Sequence, residues 1–192
     1  VSLVSTLRIE IAPPAKQSED VTAMARERLY LFDTTLRDGN QAQGVNFSAA
    51  DKRLIAERLA DLGIDFVEGG WPGANPTDDR FFADPPALGE RSTLTAFGMT
   101  RRPGRSVAND PGLAAVLDAR TPAVCLVGKS CSHHVRTAIG ATSDENLAMI
   151  RDSMAAVVDR GAMALYDAEH FFDGHRRDPG DGRPARRPTC RS

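Results

Sequence analysis

Five short apolar runs, each followed by a polar loop and most of them then by a stretch of helical period, predict an α/β fold on a parallel sheet. The runs recur about every 30 residues, the length of a strand–helix unit whose right-handed crossover returns the chain parallel to the preceding strand. The 41% apolar content over 192 residues is enough for one packed core.

Residues 1–27 mix Pro13-Pro14 with Ser, Glu and Lys without a sustained period. They are expected to form a flexible leader, with Met24 a candidate start. Arg28–Phe32 (RLYLF) is the first strand, followed by the polar loop TLRDGNQAQGVNF. Ser48 then opens a helix carrying Leu54, Ile55, Leu59 and Leu62 near helical spacing, and Gly63 closes it. Asp65–Glu68 is the second strand, with a helix from Thr77 to about Leu88. Thr93–Phe97 is the third, with a weak helix around Pro111–Ala119. Ala123–Val127 is the fourth, and Ser143–Arg160 a long helix with Leu147, Ile150, Met154 and Val157 on one face. Gly161 ends that helix, and Ala162–Tyr166 is the fifth strand.

The pattern then stops. His175–Ser192 holds six Arg and three Pro, with only Ala185 and Cys190 apolar, and cannot build a core helix. The expected organisation is a leader over 1–27, a catalytic domain over 28–175 and a disordered basic tail over 176–192. Doubly wound sheets and (β/α)8 barrels both fit the alternation. No GxGxxG or GKS/T loop follows the first strand, which disfavours a nucleotide site. A full barrel takes about 250 residues, so five strands read as a barrel cut short or read out of frame, against the plainer alternative of an ordinary basic terminus.

Bulk properties exclude several classes. A formal net charge of −2 gives no reason to expect nucleic acid or an anionic membrane as partner. No apolar stretch approaches the roughly 18 residues of a membrane span, and the opening is not expected to be a secretory signal. Three cysteines without CxxC spacing read as reduced thiols in a cytoplasmic protein.

In parallel α/β folds the site lies at the carboxyl ends of the strands, so the post-strand loops carry the candidates. After the first strand stand Arg37 and Asp38. A carboxylate there can hold a hard divalent cation, and a guanidinium can polarise the ketone of a 2-oxo acid as alkoxide charge develops. A surface Arg–Asp turn is the alternative. Glu68, an acid closing an apolar strand, can orient Arg37 through a charge-assisted pair. Thr100, Arg101 and Arg102 follow the third strand and Lys129 the fourth, a rim suited to a carboxylate or to the phosphates of coenzyme A. The fifth strand runs into Tyr166–Gly174, dense in acid and imidazole. His133-His134 is expected to face apart rather than converge on one ion. Cys125 reads as core, and Cys131 has no base beside it to make it a nucleophile.

The motifs DTTLRDG, VEGGWPGANPTD, FGMTRR, GKS and YDAEHFFDG, in that order from about Leu29 to Pro179, resemble the family of 2-isopropylmalate, homocitrate and citramalate synthases and hydroxymethylglutaryl-CoA lyases. EGGWPG, FGMTRR and YDAEHFFDG are most similar to the citramalate synthase branch. The resemblance implies a (β/α)8 TIM barrel, of which this chain holds the N-terminal five βα units, with a divalent metal, Mg2+ or Mn2+. It implies an acyltransferase that condenses acetyl-CoA with pyruvate on the route to isoleucine. Carried over by motif, Arg37 is the catalytic arginine on the ketone oxygen and Asp38 the metal-binding aspartate. Glu68 supports that pair and Glu169 is the substrate-contacting acid; Thr100, Arg101 and Lys129 are substrate-binding candidates by their place on the rim. The family's His-x-His metal ligands do not occur in this sequence. This polypeptide alone is therefore expected to be inactive, and the full-length enzyme to be a homodimer.

Overall fold

The computed structural model describes residues 28–177. The expected leader and all but two residues of the expected tail lie outside the described residues. The strands are β1 (Phe32–Asp33), β2 (Phe66–Gly70), β3 (Thr93–Met99), β4 (Ala123–Lys129) and β5 (Met163–Glu169). All neighbours pair parallel, in the order β1-β2-β3-β4-β5. A doubly wound sheet reverses its strand order at a switch point. This sheet steps one way throughout, as successive units of a barrel do, and resolves the choice the alternation left open.

The helices are α1 (Ala49–Asp61), α2 (Pro76–Ala83), α3 (Pro111–Asp118), α4 (Ser132–Ala138), α5 (Ser143–Asp159) and α6 (Phe171–Arg177). Side chains alternate between the two faces of each strand. Val67, Leu94, Ala96, Val124 and Leu126 pack outward with Phe81, Val116 and Val157 of the helices. Phe66, Phe97, Ala123, Cys125 and Leu165 form a second apolar layer on the inner face, with Phe32 against it. Cys125 is buried as expected.

Local chemistry sets the boundaries. Ser48 caps α1 through a reciprocal box, its Oγ accepting from the Asp51 N–H at 3.2 Å and its own N–H donating to Asp51 at 2.9 Å. Asn75 caps α2, accepting from the N–H groups of Thr77 and Asp78. That helix ends at Ala83 rather than near Leu88, because Pro85 pushes Asp84 out of the helical region. The first strand is shorter than expected: Leu29 and Leu31 are exposed, and only Phe32 and Asp33 pair with β2. Two helical faces also differ from the apolar count. In α1, Leu54 and Leu62 are exposed, while Lys52 and Ala56 are buried. In α5 the buried residues are Asn146, Met149, Ser153 and Val157. Asn146 donates to the Lys129 carbonyl at 2.9 Å, and Ser153 Oγ accepts from the Arg101 N–H at 2.8 Å. Helix α4 was not anticipated, and α6 takes in Arg176 and Arg177, which the sequence reading placed in the tail.

Two predictions follow from this packing. Gly98 faces α3, and a Cβ there would lie 2.4 Å from Val116 Cγ2. Gly98→Ala should therefore destabilise by about 1–3 kcal/mol, and Val116→Ala should recover part of that loss. Urea unfolding of the two single variants and the double would check it; an unshifted midpoint in Gly98→Ala would refute it. Second, β1 and β5 each pair on one side only among the described residues, while Met99 and Met163 are more than two-fifths exposed. Free strand edges beside apolar surface template further pairing. The chain should self-associate at micromolar concentration, and light scattering that shows a monodisperse monomer would contradict this.

Candidate active site

The loop after β1 is wound tightly. The N–H groups of Arg37, Asp38 and Gly39 all donate to the Thr34 carbonyl, at 3.1, 2.8 and 3.1 Å. The Thr35 N–H and hydroxyl both donate to the Asp33 carboxylate, and Leu36 is fully buried in the outer core. With Leu36 anchored, Arg37 emerges at a fixed angle. Its Nε donates to Glu68 Oε2 at 2.7 Å, its Nη1 lies 3.3 Å from Asp38 Oδ1, and its guanidinium carbon sits 4.0 Å from the Phe97 ring centroid. The cation thus stacks on an aromatic face while bonded to a carboxylate that is 1% exposed.

Arg37 serves more than one acid. Asp167, two residues before Glu169 on the same face of β5, interacts electrostatically with Arg37, Asp38, Lys129 and Glu169, and also with Glu68. Two carboxylates therefore bond this guanidinium, and a third interacts with it through space. Burial, the largest effect, pushes Glu68 up to about 7; Arg37 pulls it down, and Asp167 and Asp38 add to the rise. Asp167 is also raised, chiefly by burial.

A second grouping lies further along the rim. Lys129 and Glu169 stand side by side in the β4–β5 register and form an ion pair. They line a cleft of about 180 Å³ with Thr100, Met99, Val127 and Ile139. Thr100 is buried, and its N–H donates to the Val127 carbonyl at 3.2 Å. Arg101 borders the same cleft, but its guanidinium is engaged within the fold. It bonds Asp152 at 2.9 Å, Glu145 at 2.8 Å and the Arg105 carbonyl at 2.9 Å. The rim is therefore not the free cationic surface that its arginines and lysine suggested, since Arg37, Arg101 and Lys129 each carry acidic partners. Of the expected residues, Arg37, Asp38 and Glu68 are in one constellation and Thr100, Lys129 and Glu169 in the adjoining one, with Asp167 between them electrostatically.

Asp167 and Phe97 were not singled out from sequence. The available signal was strand parity: Leu165, Asp167 and Glu169 share a face, as do Thr95, Phe97 and Met99. His133 and His134 lie with ring centroids 5.6 Å apart, and His134 packs edge-on against His170 at 4.2 Å. Among the described residues no group of three His, Cys, Asp or Glu could hold a metal ion. Asp38 offers one partly exposed carboxylate, which does not make a cation site by itself.

Comparison with known proteins agrees with this arrangement. The (R)-citramalate synthases of Aquifex aeolicus and Streptomyces coelicolor are each 46% identical to this chain, over 154 and 162 residues. The matches cover 80% and 82% of the chain but only 29% and 30% of the relatives' own lengths. A 2-isopropylmalate synthase of Sulfurisphaera tokodaii is 28% identical over 144 residues, 74% of this chain and 35% of that protein. The crystal structure of HMG-CoA lyase from Bacillus subtilis superposes with a TM-score of 0.57 at 16% identity, covering 72% of this chain and 45% of the other, which shows a shared fold. The HMGL-like family model spans residues 28–178 and so takes in every strand, helix and post-strand loop described above; the chain belongs to the HMGL-like family.

Proposed function

We propose that this chain carries the 2-oxo-acid-binding part of a cytoplasmic acyltransferase that condenses acetyl-CoA with pyruvate to give citramalate, on the route to isoleucine. The observation that carries this reading is the Arg37 guanidinium, 13% exposed, bonded by Glu68 and stacked on Phe97. A guanidinium has five N–H donors in a rigid fork. Bonds to Glu68 and Asp38 occupy two, and the rest remain to receive an oxygen that is gaining negative charge.

The reaction forms a bond between the acetyl methyl carbon, after loss of a proton, and the ketone carbon of pyruvate. The electron pair of the C=O moves onto oxygen as alkoxide, and water then cleaves the thioester to release the thiol of coenzyme A. A donor fixed before charge develops stabilises the transition state without reorganising. The roles supported here are Arg37 on the ketone oxygen, Glu68 orienting Arg37, and Glu169, Lys129 and Thr100 around the substrate in the adjoining cleft. Arg101 fits a structural part better, because Glu145 and Asp152 already hold it. A Mg2+ or Mn2+ ion is part of the proposal by family; Asp38 would supply one ligand, with the others coming from outside the described residues. The identity gap between the citramalate synthases and the 2-isopropylmalate synthase favours pyruvate over a branched 2-oxo acid.

Grafting residues 28–177 in place of the aligned segment of the Aquifex aeolicus enzyme tests the reading. The hybrid should release thiol from acetyl-CoA only with a 2-oxo acid present, faster with pyruvate than with 2-oxoisovalerate or 2-oxoglutarate. Arg37→Ala should slow it by roughly 10²–10³, about 3–4 kcal/mol, and Arg37→Lys nearly as much because the planar fork is lost. Wild-type rates in Arg37→Ala would overturn the role of Arg37, and a preference for 2-oxoisovalerate would favour isopropylmalate synthesis instead.

Glu68 gives a test on the chain itself. Its folded value near 7 stands above the ordinary 4.5, so the native state keeps a proton that the unfolded chain releases. The stability it contributes is full below pH 4.5 and is lost as pH rises through 7. Over that window the loss is of the order of 3 kcal/mol. Glu68→Gln should flatten the fall. Urea unfolding of both chains across these pH values would check it, and parallel profiles would count against the assignment.

A further inference from the structure

The pairing of β2 with β3 slips between Glu68 and Gly70: Glu68 stands opposite Thr95, but Gly70 stands opposite Ala96. The extra residue is Gly69, a bulge one position after the acid that holds Arg37. A bulge leaves a backbone group off the ladder and re-aims the side chains beyond it. Here the re-aiming is visible by parity. Phe66 packs on the inner face and Val67 on the outer, so in a regular strand Trp71 would point outward with Val67. With the bulge its ring meets Phe97 on the inner face, edge-on at 5.4 Å between centroids, while still touching the outer core. Phe97 is the ring on which the Arg37 guanidinium lies.

Two charged residues on the helix side hold this turn. Lys52 of α1 is 1% exposed; its ammonium donates to the freed Gly69 carbonyl at 3.0 Å and pairs with Asp78 of α2. The same Asp78 carboxylate accepts from the Trp71 N–H at 2.8 Å and from the Asn75 amide at 3.0 Å. The fit leaves no slack: Gly70 has a φ of +146°, and a Cβ there would come within 2.7 Å of the Asp78 carboxylate. Both backbone groups that the bulge displaces, the Gly69 carbonyl and the Trp71 N–H, are thus satisfied by one buried ion pair from two helices.

We infer that Lys52 and Asp78 are positioning residues for the 2-oxo acid site, acting through the Gly69 bulge to set Trp71, Phe97 and Arg37. The inference rests on the function proposed above for Arg37, but its primary readouts need no substrate. Replacing a buried ion pair by apolar residues of similar size is often neutral for stability, so Lys52→Met/Asp78→Leu separates placement from folding. Trp71 is the single tryptophan of the chain and reports the turn by its emission. The Arg37 Nε–H gives a side-chain NMR signal identified by its loss in Arg37→Lys.

In the full 192-residue chain, the double variant should melt cooperatively, shift Trp71 emission to the red and broaden or lose the Arg37 Nε–H signal. Pyruvate affinity should fall by roughly 10- to 100-fold, as expected when a binding group is displaced by about an ångström. If the double variant does not fold, Gly70→Ala is read the same way, since its methyl wedges against Asp78 and removes neither charge. A folded variant with native Trp71 emission and a sharp Arg37 signal would overturn the inference. Should the unaltered chain bind no pyruvate, the proposed function fails, while the two spectra still decide the positioning role.

Discussion

A carboxylate that is 1% exposed on an apolar strand has two tolerable states: paired with a cation, or protonated. Glu68 is held between them. Arg37 reaches it from the β1 loop at 2.7 Å, yet burial, with smaller contributions from Asp167 and Asp38, pushes it up to about 7, so ionisation is only half favoured near neutrality. Much of the surrounding architecture answers to this one constraint. The β1 loop must be wound tightly enough to deliver Arg37, Leu36 must be buried to anchor it, and Phe97 must lie beneath the cation. Removing Arg37 would leave protonation as the tolerable state and push Glu68 further up.

The two faces of β2 are organised on the same principle. Glu68 pairs with Arg37 on the inner side, and one residue later Lys52 and Asp78 meet the backbone on the outer side. Buried ion pairs are poor sources of net stability, because desolvation offsets most of the attraction. They are directional, however, and each places a backbone or side-chain group that apolar packing alone would leave free. The bulge between them allows a rigid aromatic stack and an outward helix contact to share a strand end.

The layout of strands and long helices was legible because apolar period reports burial, and Thr93, Ala123 and Ser143 begin their elements where the pattern begins. Period fails where a polar residue occupies a core position. Lys52, Asn146 and Ser153 are buried with hydrogen-bond partners 17 to 52 residues away, and no local count reveals such partners. The same blindness explains Arg101. It stands at a strand end like Arg37 and reads like a ligand-binding group, but Glu145 and Asp152, far along the sequence, engage it. Arg37 and Glu68 were legible as candidates by position, and so was their charge-assisted pair, yet the involvement of Asp167 needed the register of five strands. The seven-residue α4, without a side-chain cap, left no signal to find.

Charge alone does not draw a 2-oxo acid into this face. Arg37 and Lys129 stand against Asp38, Glu68, Asp167 and Glu169, so the balance is negative even before an anion enters. On the proposed reading, attraction comes from direction rather than net potential, through the guanidinium donors that Glu68 and Asp38 leave unused. A proton on Glu68 tilts the balance further toward an anion, because it releases the part of Arg37's charge that Glu68 had neutralised. On the same reading, the apolar cleft residues Met99, Val127 and Ile139 would face the other end of the ligand and favour a methyl over a charged chain. On the proposed reading, recognition of the ketone and selection of the side chain are separate tasks, assigned to the β1–β2 and β3–β5 ends of one inner face.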